Sequence, residues 1–236
     1  MALEQNSKGT IVFVHGAWCD GSVWTKALMP LAHEGYRLHA AQLPLETFEG
    51  DVAALTLLLD HAEGPVLLVG HSYAGAVVTA AGNHEKVKAL AYVTAFAPEE
   101  DEVIGTISSM YPAQEKLDIE PDAKGFLWLT ADFAAKALGQ DLHRGYLNLA
   151  AVVQKPIHAG VFSASIKNPA WKHKPSSYLV TTEDRILAPE TQHALAKRID
   201  ARTEEIAASH LVLLSQPEFV AQFVRNSMEP LAAFLS

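Results

Sequence analysis

The sequence predicts an α/β chain: a mainly parallel, six-stranded sheet with helices on both faces and a helical cap inserted after the fourth strand. Three observations predict it. First, short apolar runs alternate with helical stretches, as strands joined by crossover helices do. Second, Pro65 to Gly82 reads P-V-L-L-V-G-H-S-Y-A-G-A-V-V-T-A-A-G, a strand, a sharp turn and a helix. Third, the alternation stops near Pro98 and resumes only after Pro175. The expected division is a core of 1–98 and 176–236 with a cap of 99–175.

Thr10 to Val14 is apolar on both faces and too short for a helix, so it reads as a buried parallel strand. His15-Gly16-Ala17-Trp18 follows, then a helix from about Ser22 to Glu34 that Gly35 ends. Tyr36 to Ala41 is the second strand. Phe48 to Ala62 carries Val52, Leu55, Leu58 and Leu59 at helical spacing, and Gly64-Pro65 breaks it. Val66 to Gly70 is the third strand, Tyr73 to Gly82 its helix, and Val87 to Val93 the fourth strand. The segment 104–175 shows helical patches at Ala131 to Leu138, behind Thr130 as an N-cap, and at Leu142 to Gln154. A long insertion inside a compact fold is usually functional. Ser177 to Thr182 and Thr203 to Ile206 are the last strands. Helices over Pro189 to Arg198 and Pro217 to Phe234 complete the pattern.

The chain has 236 residues, 49% of them apolar and 19% charged, enough for one sizeable globular core. Its formal net charge of -9 argues against nucleic acid and anionic membranes as partners. Cys19 is the one cysteine, so no intrachain disulfide forms. Met1 to Gly9 is polar and no long apolar span is present, so the expected location is cytoplasmic.

Ser72 sits at the apex of the strand-turn-helix unit. Ala74 fills the second glycine position of G-x-S-x-G, and Gly75 comes next. A serine hydroxyl needs a base to take its proton and a group to hold that base. Functional groups in parallel sheets gather past the carboxyl ends of strands. Asp184 lies past Ser177 to Thr182, and His210 past Thr203 to Ile206, giving the order Ser, acid, His. Glu183 is the rival acid. It is ranked second because the second acid of a Thr-Thr-Glu-Asp turn commonly faces the site. The chain holds 11 histidines. Only His210 follows a core strand after the acid, and His71, next to the serine on a tight turn, is read as pointing elsewhere. Taken alone, Ser72 also reads as a helix N-cap, and Asp184 as a charge ahead of the helix at Pro189.

The backbone N–H groups of Ala17 and Tyr73 are the expected oxyanion donors. Trp18 and Trp24 read as packing residues. Trp18 is also placed among the expected substrate contacts, with Phe126, Trp128, Phe133 and Phe162. No cofactor is expected: Gly70 to Gly75 has P-loop glycine spacing, but Ala76-Val77 replaces Lys-Ser/Thr, and no G-x-G-x-x-G follows the first strand. No Cys/His cluster has zinc spacing, so no metal is expected either.

The segments V-F-V-H-G-A-W, V-G-H-S-Y-A-G, T-T-E-D-R and A-S-H-L-V-L-L-S-Q-P, in that order, resemble the α/β-hydrolase superfamily. The resemblance runs over nearly the whole chain. It is nearest to the branch of plant methylesterases, hydroxynitrile lyases and bacterial esterase-like proteins. It implies a triad of Ser72, Asp184 and His210 and an oxyanion hole at Ala17 and Tyr73. It also implies a small-molecule ester as substrate and, as in many relatives, a homodimer. The lyases typically carry lysine where this chain has Leu211, and Thr or Asn where it has Gly16; both differences disfavour cyanohydrin cleavage. The expected activity is hydrolysis of a small, fairly apolar carboxylic ester. The alternatives are a lyase reaction at the same triad and a non-catalytic ligand-binding protein.

Overall fold

The computed structural model describes residues 8–115 and 119–235. Residues 1–7, part of the Met1 to Gly9 stretch read for a leader, lie outside them. The strands in chain order are β1 (Thr10–Val14), β2 (Arg37–Ala40), β3 (Val66–His71), β4 (Val87–Val93), β5 (Phe126–Leu127), β6 (Ile157–His158), β7 (Ser176–Thr181) and β8 (Arg202–Ile206). Six of them form one parallel sheet in the order β2-β1-β3-β4-β7-β8. The helices are α1 (Thr25–Ala32), α2 (Phe48–His61), α3 (Ala74–Ala81), α4 (Ala131–Phe133), α5 (Arg144–Val153), α6 (Pro189–Arg198), α7 (Val212–Ser215) and α8 (Pro217–Ser227).

Strand side chains alternate between faces, and both faces are covered. Val12, Val14, Leu68, Tyr92 and Val180 pack with Leu55 and Leu59 of α2, Val77 and Val78 of α3, and Leu195 of α6. Ile11, Phe13, Leu67, Val69, Ala91 and Leu179 pack on the other face with Ala27 and Leu31 of α1 and Phe223 and Val224 of α8. This division explains why the runs Ile11 to Val14 of β1 and Val66 to Val69 of β3 are apolar at every position.

The helix boundaries follow their local chemistry. Thr47 caps α2 by accepting from Gly50 N–H, and Thr130 caps α4 by accepting from Phe133 N–H. Gly35, at φ +89°, takes the left-handed conformation just past α1. The stretch expected as one helix over Ser22 to Glu34 is a 3-10 turn, Gly21–Trp24, followed by the shorter α1. The expected last helix likewise stops at Ser227, and a 3-10 turn spans Glu229–Phe234.

Between β4 and β7 the chain leaves the sheet. No strand was expected there, but β5 and β6 pair there as an antiparallel ribbon two residues long. The Ala131 to Leu138 patch is α4 running into a π-turn, Ala134–Leu138, closed by Gly139 N–H on Ala134 C=O. Among the described residues no helix is long and apolar enough to cross a membrane.

Candidate active site

The parallel register brings five strand ends to one edge of the sheet. Gly70 pairs with Val14 on one side and Tyr92 on the other. Val93 pairs with Leu179, and Thr181 with Ile206. The segments that follow carry Ala17, Ser72, Thr94, Asp184 and His210.

Ser72 stands at φ +55°, a left-handed conformation that costs a serine about 1–3 kcal/mol. The turn persists because its surroundings fix it. Ser72 N–H donates to Val93 C=O, and Ser72 C=O accepts from Gly75 and Phe96 N–H. Helix α3 then runs so close to the chain after β4 that a Cβ on Gly75 would lie 2.1 Å from Phe96 O. Closeness therefore governs the glycine, as the motif suggests, but the close neighbour is Phe96. Ala74, in the second glycine position, is buried.

Ser72, His210 and Asp184 form one hydrogen-bonded chain. His210 Nε2 lies 2.8 Å from Ser72 Oγ, and His210 Nδ1 lies 2.6 Å from Asp184 Oδ2. Asp184 and His210 are both buried. Asp184 Oδ1 accepts from the N–H groups of Ile186 and Leu187, and Oδ2 also accepts from Thr94 Oγ1 and Gln192 Nε2. Burial alone would raise its pKa; His210 and the donated hydrogen bonds outweigh it and hold the carboxyl below its ordinary value. Glu183, the rival acid, is exposed.

On the neighbouring loop, His15 is fully buried and its protonation state is fixed by its partners. Its Nε2 accepts from Leu43 N–H, so Nδ1 carries the proton and donates to Gly16 C=O. Burial lowers its pKa to about 4, so the ring is neutral at pH 7. A trans peptide points its C=O and N–H in opposite directions. Holding Gly16 C=O therefore turns Ala17 N–H away from His15. Among the described residues the N–H groups of Ala17 and Tyr73 have no acceptor. A Cβ on Gly16 would lie 2.9 Å from Ser72 Cβ. Glycine is what allows this loop to approach the serine.

His71 is not turned away from the site as the sequence reading had it. It is the last residue of β3, and its side chain lies on the Trp24 side of the sheet, beneath the His210 loop. Its Nε2 donates to His210 C=O at 2.9 Å, and its ring centroid is 5.0 Å from that of His210. Burial, with His210 nearby, lowers its pKa to about 3. Thr94 and Gln192 are further site residues that the sequence reading missed. Thr94 directly follows the Val87 to Val93 strand at the same edge, which is the signal that could have found it; its positive φ of 38° is seen only in the structure.

A narrow cleft of about 60 Å³ opens beside Ser72 and His210. Its walls are Trp18, Leu129, Ala134, Leu138, Leu147 and Leu211, with Cys19, His71, Ala150, Ala151 and Gln154 beside them. No Lys, Arg, Asp or Glu lines it. Gln154 is spent on Leu129 and Ala151. Burial, with Asp20 adding to it, pushes the Cys19 thiol up to about 12, so it stays protonated. Of the five expected contacts, Trp18 lines the cleft. Phe126 lies in the ribbon against His158, and half-exposed Trp128 donates to Asp122. Phe133 packs among the α1/α8-side core residues, and Phe162 packs on the Tyr73 ring. Among the described residues no His, Cys, Asp or Glu cluster could hold a metal ion.

The model of the α/β-hydrolase family matches residues 11–223. The chain belongs to the α/β-hydrolase family. Two curated relatives of this α/β hydrolase match over shorter stretches. A pyrethroid hydrolase of Sphingobium wenxiniae is 33% identical over 99 residues, 36% of this chain and 35% of that protein. A carbendazim hydrolyzing esterase of a Nocardioides species is 33% identical over 104 residues, 37% of this chain and 42% of that one. The matched stretch thus spans less than half the length of either relative. Polyneuridine aldehyde esterase shares the α/β-hydrolase fold at a TM-score of 0.81 and 21% identity, covering 93% of this chain and 99% of that one.

Proposed function

We propose that this α/β hydrolase cleaves small, apolar carboxylic esters through an acyl-enzyme on Ser72. The observation that carries the reading is the unbroken chain Ser72 Oγ–His210 Nε2 and His210 Nδ1–Asp184 Oδ2, at 2.8 and 2.6 Å. Ser72 Oγ attacks the ester carbonyl carbon while His210 Nε2 takes its proton. The N–H groups of Ala17 and Tyr73 receive the developing oxyanion, each such donor contributing about 3 kcal/mol. The C–O bond to the alcohol breaks as His210 returns the proton to the leaving oxygen. Water, deprotonated by His210, then attacks the acyl carbonyl; the bond to Ser72 Oγ breaks as His210 returns the proton to Oγ, and the carboxylic acid leaves. Asp184 stays ionised and balances the imidazolium.

The cleft supports the substrate class. Its walls carry no charge, so an anionic or cationic group has no partner there. Its volume of about 60 Å³ is far below the roughly 300–1,000 Å³ of sites for drug-sized ligands. The segment 99–175 acts as a cap, because α5 and the π-turn before it supply much of the cleft wall. The similarity to a pyrethroid hydrolase and to a carbendazim hydrolyzing esterase supports hydrolysis as the reaction class. The single cysteine is compatible with a reducing, cytoplasmic setting.

A panel of p-nitrophenyl esters of increasing acyl length tests the reading. The highest kcat/KM is expected on the shortest acyl chains. Ser72→Ala is expected to lower kcat by about 10⁴-fold or more. Retained turnover in that variant, or cleavage of mandelonitrile in place of the esters, contradicts it.

A further inference from the structure

The residues on both sides of Asp184 and on both sides of His210 are hydrogen-bonded to one short stretch of the β4–β7 insertion. Before Asp184, Glu183 C=O accepts from Gln140 Nε2 at 2.6 Å. After it, Arg185 Nη1 donates to Lys136 C=O at 2.9 Å. Before His210, Ser209 N–H donates to Asp141 Oδ2 at 3.0 Å. After it, Leu211 N–H donates to Leu138 C=O at 3.0 Å.

The shape of the stretch makes these four ties compatible. The π-turn widens the helix by one residue per turn, a distortion common at functional sites. It ends on Gly139, where a Cβ would lie 2.9 Å from Leu147 and 3.2 Å from Leu211. The same turn presents Ala134 and Leu138 to the cleft. Substrate contact and the placement of the acid and base thus meet in one segment.

We propose that Lys136 to Asp141 is a clamp that holds His210 and Asp184 in line with Ser72, with Asp141 as a positioning residue. The inference rests on the reading of His210 as the base for Ser72. Displacing this segment moves both loops together, so the machinery is aligned only while the segment is seated. Misplacing a reacting group by about 1 Å can lower a rate by about 100-fold, and loss of one of four ties is expected to cost a fraction of that.

The test compares wild type, Asp141→Ala and Asp141→Asn on a p-nitrophenyl ester, together with the rate at which a fluorophosphonate labels Ser72. Asp141→Ala is expected to lower kcat and the labelling rate together by about 10-fold, with KM within about twofold. Asp141→Asn keeps an acceptor oxygen for Ser209 N–H and is expected to retain most of both rates. A purely structural role lowers the melting temperature but leaves kcat per folded molecule unchanged. Wild-type kcat and labelling in Asp141→Ala overturn the clamp. If wild type itself is not labelled, the reading of Ser72 and His210 fails instead. Should Asp141→Ala not fold, Gln140→Ala carries the same test: lower kcat at unchanged KM supports the clamp, and wild-type kcat overturns it.

Discussion

The hydroxyl of Thr94 donates to Asp184 Oδ2 at 2.7 Å, the same oxygen that lies 2.6 Å from His210 Nδ1. A donor on that atom stabilises the carboxylate in the buried site and fixes its direction. Thr94→Val keeps the shape and removes the donor. Hydrogen bonds to charged groups contribute about 1.5–3 kcal/mol, so kcat is expected to fall by about 10-fold, and Thr94→Ser to recover most of it. Steady-state kinetics of the two variants measure this; wild-type kcat in Thr94→Val contradicts it.

Tyr73 has a side-chain role separable from its N–H. Its hydroxyl donates to Asp51 Oδ2 at 2.7 Å, and Asp51 Oδ1 accepts from Leu45 N–H at 2.7 Å. Asp51 is fully buried, and burial raises its pKa against these two donors. Tyr73→Phe leaves the carboxylate half satisfied and is expected to lower stability by about 1–3 kcal/mol. The backbone N–H is untouched, so kcat is expected to fall by less than about 10-fold. Urea unfolding with parallel kinetics separates the two effects. An unchanged stability, or a collapse of kcat in a stable protein, contradicts this division.

Gly16 is constrained by space. The missing Cβ would lie 2.9 Å from Ser72 Cβ and 3.1 Å from His71 O, so a side chain must displace the loop or the elbow. Gly16→Ala is expected to lower kcat and Ser72 labelling by about 100-fold, with the fold retained. Near wild-type labelling shows instead that the loop has room to give.

Two neutral histidines make the fold sensitive to mild acid. Burial lowers His15 to about 4 and His71 to about 3, against about 6.5 for an unfolded histidine. Below about pH 6.5 the unfolded chain binds protons that the folded chain does not. Stability is therefore full above that pH and declines as pH falls toward the folded values, by about 1.4 kcal/mol per unit for each ring. Between about pH 7.5 and about pH 5.5, His71→Gln is expected to lose about 1 kcal/mol less than wild type. Equal losses by urea unfolding contradict the assignment.

Much of this was legible in the residues. Val66 to Val69 and Thr10 to Val14 could only be buried strands, and the carboxyl-edge rule then led from Ser72 to Asp184 and His210. The geometry that brings them together rests on parallel register, which apolar runs imply. What was illegible depends on tertiary contact. Thr94 holds a positive φ that no residue pattern announces. The β5–β6 ribbon is two residues per strand, too short to show a period. Aromatic content pointed to Phe126, Trp128, Phe133 and Phe162 as cleft contacts. The cleft is instead walled by Leu129, Leu138, Leu147 and alanines of α5, because the four aromatics find other partners: Phe126 sits against His158, Trp128 on Asp122, Phe133 in the α1/α8-side core and Phe162 on Tyr73. His71 looked misdirected by its neighbour on the turn, and only the return of the His210 loop gives it a partner.

The central claim is that Ser72 Oγ, activated by His210, is the nucleophile. Intact-mass and peptide mapping after fluorophosphonate treatment tests it most directly. One phosphonyl adduct on Ser72 is expected in wild type, none in Ser72→Ala, and a rate lowered by about 1,000-fold or more in His210→Ala. An unlabelled wild-type protein, or an adduct on another residue, contradicts the claim.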